Sequence, residues 1–157
     1  MIEKEMFSLA NKTLRVDFHT HIIPEDFPDL AAKYGDARFP NLEKTCDCGA
    51  EIFIQGISFR KITDQAWDVE KRIADMDQEG IDIQVLSPIP VTLAYWSSPE
   101  AGLELAQVQN DFIASIAKGY PDRFIGLGTV PLQNVDMAIQ EMDRAMHELG
   151  LKGLQIG

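Results

Sequence analysis

Two hydrophobic rhythms alternate along the chain. Leu14-Arg15-Val16-Asp17-Phe18 alternates apolar and polar residues, the period of a strand, and Pro24 closes the stretch that follows through His19-Thr20-His21. Between Ile22 and Ile62 the rhythm breaks at Pro24, Pro28, Gly35, Pro40, Gly49 and Gly56. Within it, Glu51-Ile52-Phe53-Ile54 and Ile57-Ser58-Phe59-Arg60, joined through Gln55-Gly56, predict a small β-hairpin in an insertion. Asp68 has the chemistry of an N-cap for a helix running to Glu79, with Ile73 and Met76 facing inward and Gly80 as its left-handed stop. Ile81 to Ser87 alternates again as a second strand. Ser98-Pro99-Glu100 places a cap before a proline at the first helical position; Leu105, Val108, Phe112 and Ile116 then recur at spacings of three and four until Gly119 and Pro121. Phe124 to Thr129 predicts a third strand. Asn134 caps a further helix whose Val135, Ile139, Met142, Met146 and Leu149 form one apolar stripe, before Gly150 stops it and Leu151 to Ile156 begins a fourth strand.

Strands alternating with amphipathic helices predict an α/β fold with a parallel sheet. A complete (β/α)8 TIM barrel takes ~250 residues. The 157 residues here, with four strands and three helices, therefore predict its N-terminal half, as one partial barrel domain over residues 1–157 with a small β-hairpin insertion at about 22–62, after the first strand. The final strand has no helix after it to cover it, as expected for a piece of a barrel. A doubly wound sheet satisfies the same alternation. No internal repeat or low-complexity linker interrupts the pattern.

Composition narrows the partners. The content is 45% hydrophobic and 25% charged, enough apolar residues for a core. Against 14 Lys plus Arg stand 25 Asp plus Glu, a formal net charge of -11, which repels phosphate backbones and anionic lipid. Nucleic acid and membrane are excluded as expected partners. Met1 to Glu5 is acidic and lacks an apolar run, and no stretch approaches the ~18 apolar residues of a span, so a cytoplasmic location is expected. Cys46 and Cys48 are too close in sequence for an easy disulfide and lack the second half of a zinc-ribbon pattern, so two reduced thiols are expected.

The chemistry concentrates in Asp17-Phe18-His19-Thr20-His21. Side chains two apart on an extended chain point the same way, so His19 and His21 can aim together into a barrel mouth where Thr20 cannot. Two imidazoles so placed suit zinc or another borderline divalent ion. The C-terminal ends of barrel strands are where active sites are built. The same spacing also describes two hydrogen-bonded or exposed histidines at a strand end.

Val16-Asp17-Phe18-His19-Thr20-His21-Ile22-Ile23-Pro24 resembles the opening of amidohydrolase-superfamily enzymes. Ser58-Phe59-Arg60, Ala66-Trp67-Asp68, Arg72-Ile73, Met76-Asp77-Gln78-Glu79-Gly80, Ala94-Tyr95-Trp96, Arg123-Phe124-Ile125-Gly126-Leu127-Gly128-Thr129 and Leu154-Gln155-Ile156-Gly157 resemble the aminocarboxymuconate semialdehyde decarboxylases of that superfamily. The resemblance runs over nearly the whole chain. It implies a mononuclear site for zinc or another divalent transition metal, with His19 and His21 as two ligands. A later histidine and aspartate would complete the site and another histidine would act as acid/base; none of these is in the chain, which alone is expected to be inactive. In binuclear relatives a lysine ends strand four, whereas Lys152 begins it here, so one metal is expected. The resemblance assigns Arg60 to a substrate carboxylate, which a planar guanidinium matches bidentately.

Tyr95 and Trp96 follow the second strand on the same face, as pocket residues or as packing for the insertion. Asp17 lies one layer deeper and is expected to hydrogen-bond, and His147 is expected on the outer surface of its helix. The reaction implied is non-oxidative decarboxylation of a small unsaturated or aromatic carboxylic acid, by a full-length homodimer. A metal-dependent hydrolase of an amide, ester or lactone is the alternative within the superfamily. A non-catalytic half-barrel serving as an assembly module, its fourth strand open to pairing, is the alternative outside it.

Overall fold

The order of elements is β1 (Val16–Ile22), α1 (Leu30–Tyr34), β2 (Asn41–Cys46), β3 (Gly49–Ile54), β4 (Ile57–Thr63), α2 (Val69–Glu79), β5 (Ile83–Pro88), α3 (Pro99–Gly119), β6 (Phe124–Gly126) and α4 (Val135–Asp143), the last continued by a π turn at Arg144–Glu148. These come from a computed structural model that describes residues 13–157, so the acidic Met1–Glu5 segment lies outside the described residues. Strands β1, β5 and β6 pair in parallel in that spatial order, and Gly128 bridges Leu154 in the same sense. Parallel neighbours need long crossovers, which α2 and α3 supply. Their boundaries follow local chemistry. Asp68 accepts the N–H groups of Glu70 and Lys71, Ser98 that of Ala101, and Asn134 that of Met137. Each such cap contributes about 1 kcal/mol. Gly80 closes α2 at φ 72°, where a side chain would be strained.

Ile22, Met76, Leu86, Ile113, Phe124 and Leu151 pack together between the parallel sheet and its helices. A second cluster, Leu30, Phe39, Ala94, Ala101 and Leu105, seats the insertion on the start of α3. The insertion holds more structure than its sequence suggests. β3 and β4 span the two apolar pieces and pair antiparallel, but β2 adds a third strand and α1 a helical turn capped by Asp29.

Three expectations are corrected. Cys46 and Cys48 are joined in a disulfide rather than free: the register shift between Lys44 and Cys46 brings their Cα atoms to 5.2 Å, within the span a disulfide takes. The apolar stripe of α4 faces outward over its first part, with Val135, Ile139 and Met142 exposed at 70, 54 and 42%, while Leu149 at its end packs against the core. Its inward face is Glu141 and Ala145, because Asn110 on α3 and Arg144 satisfy the Glu141 carboxylate at 2.7 and 2.8 Å. The third and fourth strands are also shorter than their apolar runs. β6 ends at Gly126, and at Thr129 Asn110 takes both backbone groups, at 2.8 and 2.9 Å, in place of a strand neighbour. The residues from Lys152 to Gln155 keep three backbone bonds to Gly126 and Gly128 but form only the single bridge. α3 approaches closely at Gly128, where a Cβ would lie 2.7 Å from the Asn110 amide oxygen. Among the described residues no helix is long and apolar enough to cross a membrane.

Candidate active site

β1 runs on through the histidine segment, so His19 and His21 sit on the strand rather than after it. Asp17 is half-buried beneath them, accepting the His19 backbone N–H at 3.2 Å and the Gln84 amide at 3.4 Å. Thr20, between the histidines, points the other way and donates to the Val85 carbonyl at 2.8 Å. The two imidazoles do not diverge: their centroids are 5.1 Å apart, with ring planes at 79°. An ion held ~2.1 Å from one nitrogen of each ring, at a tetrahedral angle, requires centroids about 5 Å apart. The centroid spacing matches that requirement. The pair supplies only part of a four-coordinate set, because no group of three or more His, Cys, Asp or Glu converges among the described residues.

The His21 ring is fixed by Ser87 of β5, whose Oγ lies 3.0 Å from Nδ1. Burial lowers the His21 pKa from its ordinary 6.5, and the neighbouring His19 lowers it further; hydrogen bonding to the Pro88 and Ser87 backbone opposes both, and Arg72 adds a smaller lowering. The neutral form, the one that ligates metals, is favoured.

A cleft of about 670 Å³ opens beside the pair, between the tip of β1 and the antiparallel insertion, and its lining includes His19, His21, Arg60, Lys61 and Arg72. A hollow of about 390 Å³ lies on the other side of the histidines, against Phe18, Ser87, Leu154 and Gln155. Another, of about 830 Å³, sits at the opposite end of the sheet beside Leu14, Ile83 and Arg123 and holds no histidine. The first two lie where β1 and β5 end.

Arg60 is on β4, exposed, with its guanidinium 5.9 Å from the Phe59 ring and no ion pair among the described residues. Arg72 comes from α2 and is 9% exposed. It donates to the carbonyls of His21 and Gln65 at 2.9 Å each and to the Gln84 side chain at 3.1 Å, so one buried cation ties together β1, β5 and the turn before α2. Tyr95 and Trp96 line neither of the histidine hollows. Trp96 packs against Phe39 with centroids 4.8 Å apart and planes tilted by 56°, and the Arg38 guanidinium lies 4.3 Å from its ring, holding the insertion to the loop before α3. His147 is exposed, 3.5 Å from Asp143, and Lys152 lies beside Lys118 and Pro121, away from the histidines.

Sequence reasoning missed Arg72 and Ser87 as site residues. A charged side chain in the inward row of α2, one turn before Met76, was the available signal for the first. For the second it was a hydroxyl at the end of the strand beside β1.

The profile of the Amidohydrolase family matches residues 16–157. The chain is 44% identical over 146 residues to a 2-amino-3-carboxymuconate-6-semialdehyde decarboxylase of Dictyostelium discoideum, covering 93% of this chain and 41% of that protein. It is 33% identical over 134 residues to the enzyme of the same name from Caenorhabditis elegans, covering 85% of this chain and 33% of that one. A crystal structure of a 5-carboxyvanillate decarboxylase from Novosphingobium aromaticivorans, complexed with manganese and 4-hydroxy-3-methoxy-5-nitrobenzoic acid, superposes with a TM-score of 0.68 at 27% identity, over 92% of this chain and 41% of that one. The chain thus spans about two fifths or less of the length of these relatives. With the family profile matched from the first residue of β1 to Gly157, the chain belongs to the amidohydrolase family.

Proposed function

We propose that this chain is the first half of a (β/α)8 barrel that decarboxylates a small unsaturated or aromatic carboxylic acid without oxidation. His19 and His21 would be two ligands of a single divalent metal ion. The observation that carries this reading is the imidazole pair at 5.1 Å, beside a cleft whose lining includes Arg60 and Arg72. The names and bound molecules of the relatives support it: decarboxylases of carboxylated substrates, one of them with manganese. Zinc and manganese both accept imidazole nitrogen, and either fits the donors present.

Each residue has a separable task. His19 and His21 would hold the ion, which when bound would supply positive charge to polarise the substrate and to lower the pKa of a water. Arg60, with no carboxylate paired to it among the described residues, grips a substrate carboxylate bidentately and holds the scissile bond over the histidine pair. Arg72 spends its donors on protein acceptors and stiffens the floor beneath. Two imidazoles leave the coordination incomplete and no further metal-ligating cluster surrounds them among the described residues, so the 157-residue chain alone is inactive in this reading.

The test has two parts. Calorimetric titration of the chain with Zn²⁺ or Mn²⁺ should show one ion bound, lost in His19→Ala and in His21→Ala. In a chain of the relatives' length, carbon dioxide release from aromatic and unsaturated carboxylic acids should fall at least tenfold in kcat/KM for Arg60→Ala, about 1.4 kcal/mol of transition-state binding. Hydrolysis of lactones or amides without carbon dioxide release would overturn the decarboxylase assignment. Carbon dioxide release by the 157-residue chain itself would overturn the division of the site.

A further inference from the structure

Ser87 sits opposite His21 in the parallel register of β1 and β5 and is 5% exposed. Its Oγ donates to the Thr20 carbonyl at 2.9 Å and lies 3.0 Å from His21 Nδ1. A hydroxyl has one proton. With that proton committed to Thr20, the oxygen can meet Nδ1 only as an acceptor, so Nδ1 must carry a hydrogen. A neutral imidazole has one N–H, which leaves Nε2 with its lone pair.

We propose that Ser87 is a positioning residue: it fixes His21 as the Nδ1–H tautomer and thereby makes Nε2 the nitrogen offered to a metal ion. The metal half of this statement rests on the proposed function; the tautomer half does not. Thr20 is part of the device. Its hydroxyl is anchored on the Val85 carbonyl and its own carbonyl holds the Ser87 proton, so the residue between the two histidines sets the polarity of the serine that orients one of them. Groups bonded behind a ligand in this way tune metal affinity by roughly 10–100-fold.

Long-range proton–nitrogen correlation spectra of the uniformly ¹⁵N-labelled chain, recorded at about pH 8 so that imidazoles are neutral, read the tautomer directly. The expected result is a pyrrole-type shift for His21 Nδ1 and a pyridine-type shift for Nε2. Ser87→Ala should lose this pattern and average towards a mixture of tautomers, while Ser87→Thr, which keeps the hydroxyl, should retain it. A hydrogen on Nε2 of the unsubstituted chain, or a spectrum unchanged in Ser87→Ala, would overturn the assignment. In Zn²⁺ titrations Ser87→Ala should bind roughly 10–100-fold more weakly and Ser87→Thr nearly as tightly as the unsubstituted chain. Equal affinity in all three would overturn the role towards metal. An Nδ1–H tautomer in a chain that binds neither Zn²⁺ nor Mn²⁺ would uphold the action of Ser87 on His21 and sink the proposed function instead.

Discussion

Arg72→Met removes a buried cation while keeping most of the apolar stem, so it isolates what the guanidinium does. Three acceptors lose their donor at once: the His21 and Gln65 carbonyls and the Gln84 side chain. A hydrogen bond from a charged group contributes about 1.5–3 kcal/mol, which bounds the loss at roughly 4–9 kcal/mol if the terms add. They do not add fully. Arg72 lines the open cleft, water can reach part of what it leaves behind, and removing a buried charge relieves its desolvation. The expected loss is about 3–4 kcal/mol, a drop in Tm of roughly 6–16 °C for a chain of this length. Urea unfolding followed by circular dichroism and by tryptophan fluorescence, with m compared between variants, gives the number. Arg72→Lys keeps the charge, but one ammonium cannot span three acceptors, so it should recover only part of the loss. A stability for Arg72→Met within ~0.5 kcal/mol of the unsubstituted chain would refute the claim that this cation clamps the β1 tip.

Gly128→Ala should cost about 1–3 kcal/mol by overpacking, because the new Cβ would lie 2.7 Å from the Asn110 oxygen and 2.9 Å from Leu151; an unchanged thermal midpoint would rule out the close approach of α3. Glu141→Ala strips Asn110 and Arg144 of a shared buried partner and should cost roughly 3 kcal/mol in urea melts, the lower end of the range for broken buried pairs because Arg144 reaches solvent. In the metal-free chain, burial and His19 hold the His21 pKa below 6.5. The unfolded chain therefore binds a proton that the folded one resists, and stability should rise with pH across the interval up to 6.5 and level off above it. Titration of the His21 ring by nuclear magnetic resonance at or above 6.5 would contradict this.

The caps at Asp68, Ser98 and Asn134 and the stop at Gly80 were legible because each satisfies backbone groups within four residues of itself, whatever surrounds it. The alternation of strands and helices, and the shared face of His19 and His21, follow equally from periods internal to each segment. What the apolar pattern could not tell was which groups would be satisfied from afar. The stripe on α4 reads as a core face, yet the carboxylate of Glu141 takes that place because Asn110, 31 residues earlier, arrives to bind it. For Trp96 the sequence allows two roles, pocket wall or packing for the insertion, and its contacts with Phe39 and Arg38 of the insertion select the second.

The two residues that hold His21 come from 51 and 66 positions away. A buried polar side chain is tolerable only when its partner is in place. Periodicity and capping are short-range, so the sequence alone determined the element order and the histidine pair; the burial of Arg72, Ser87 and Glu141 depends on donors and acceptors that only the folded chain brings together, so the tertiary structure decided it.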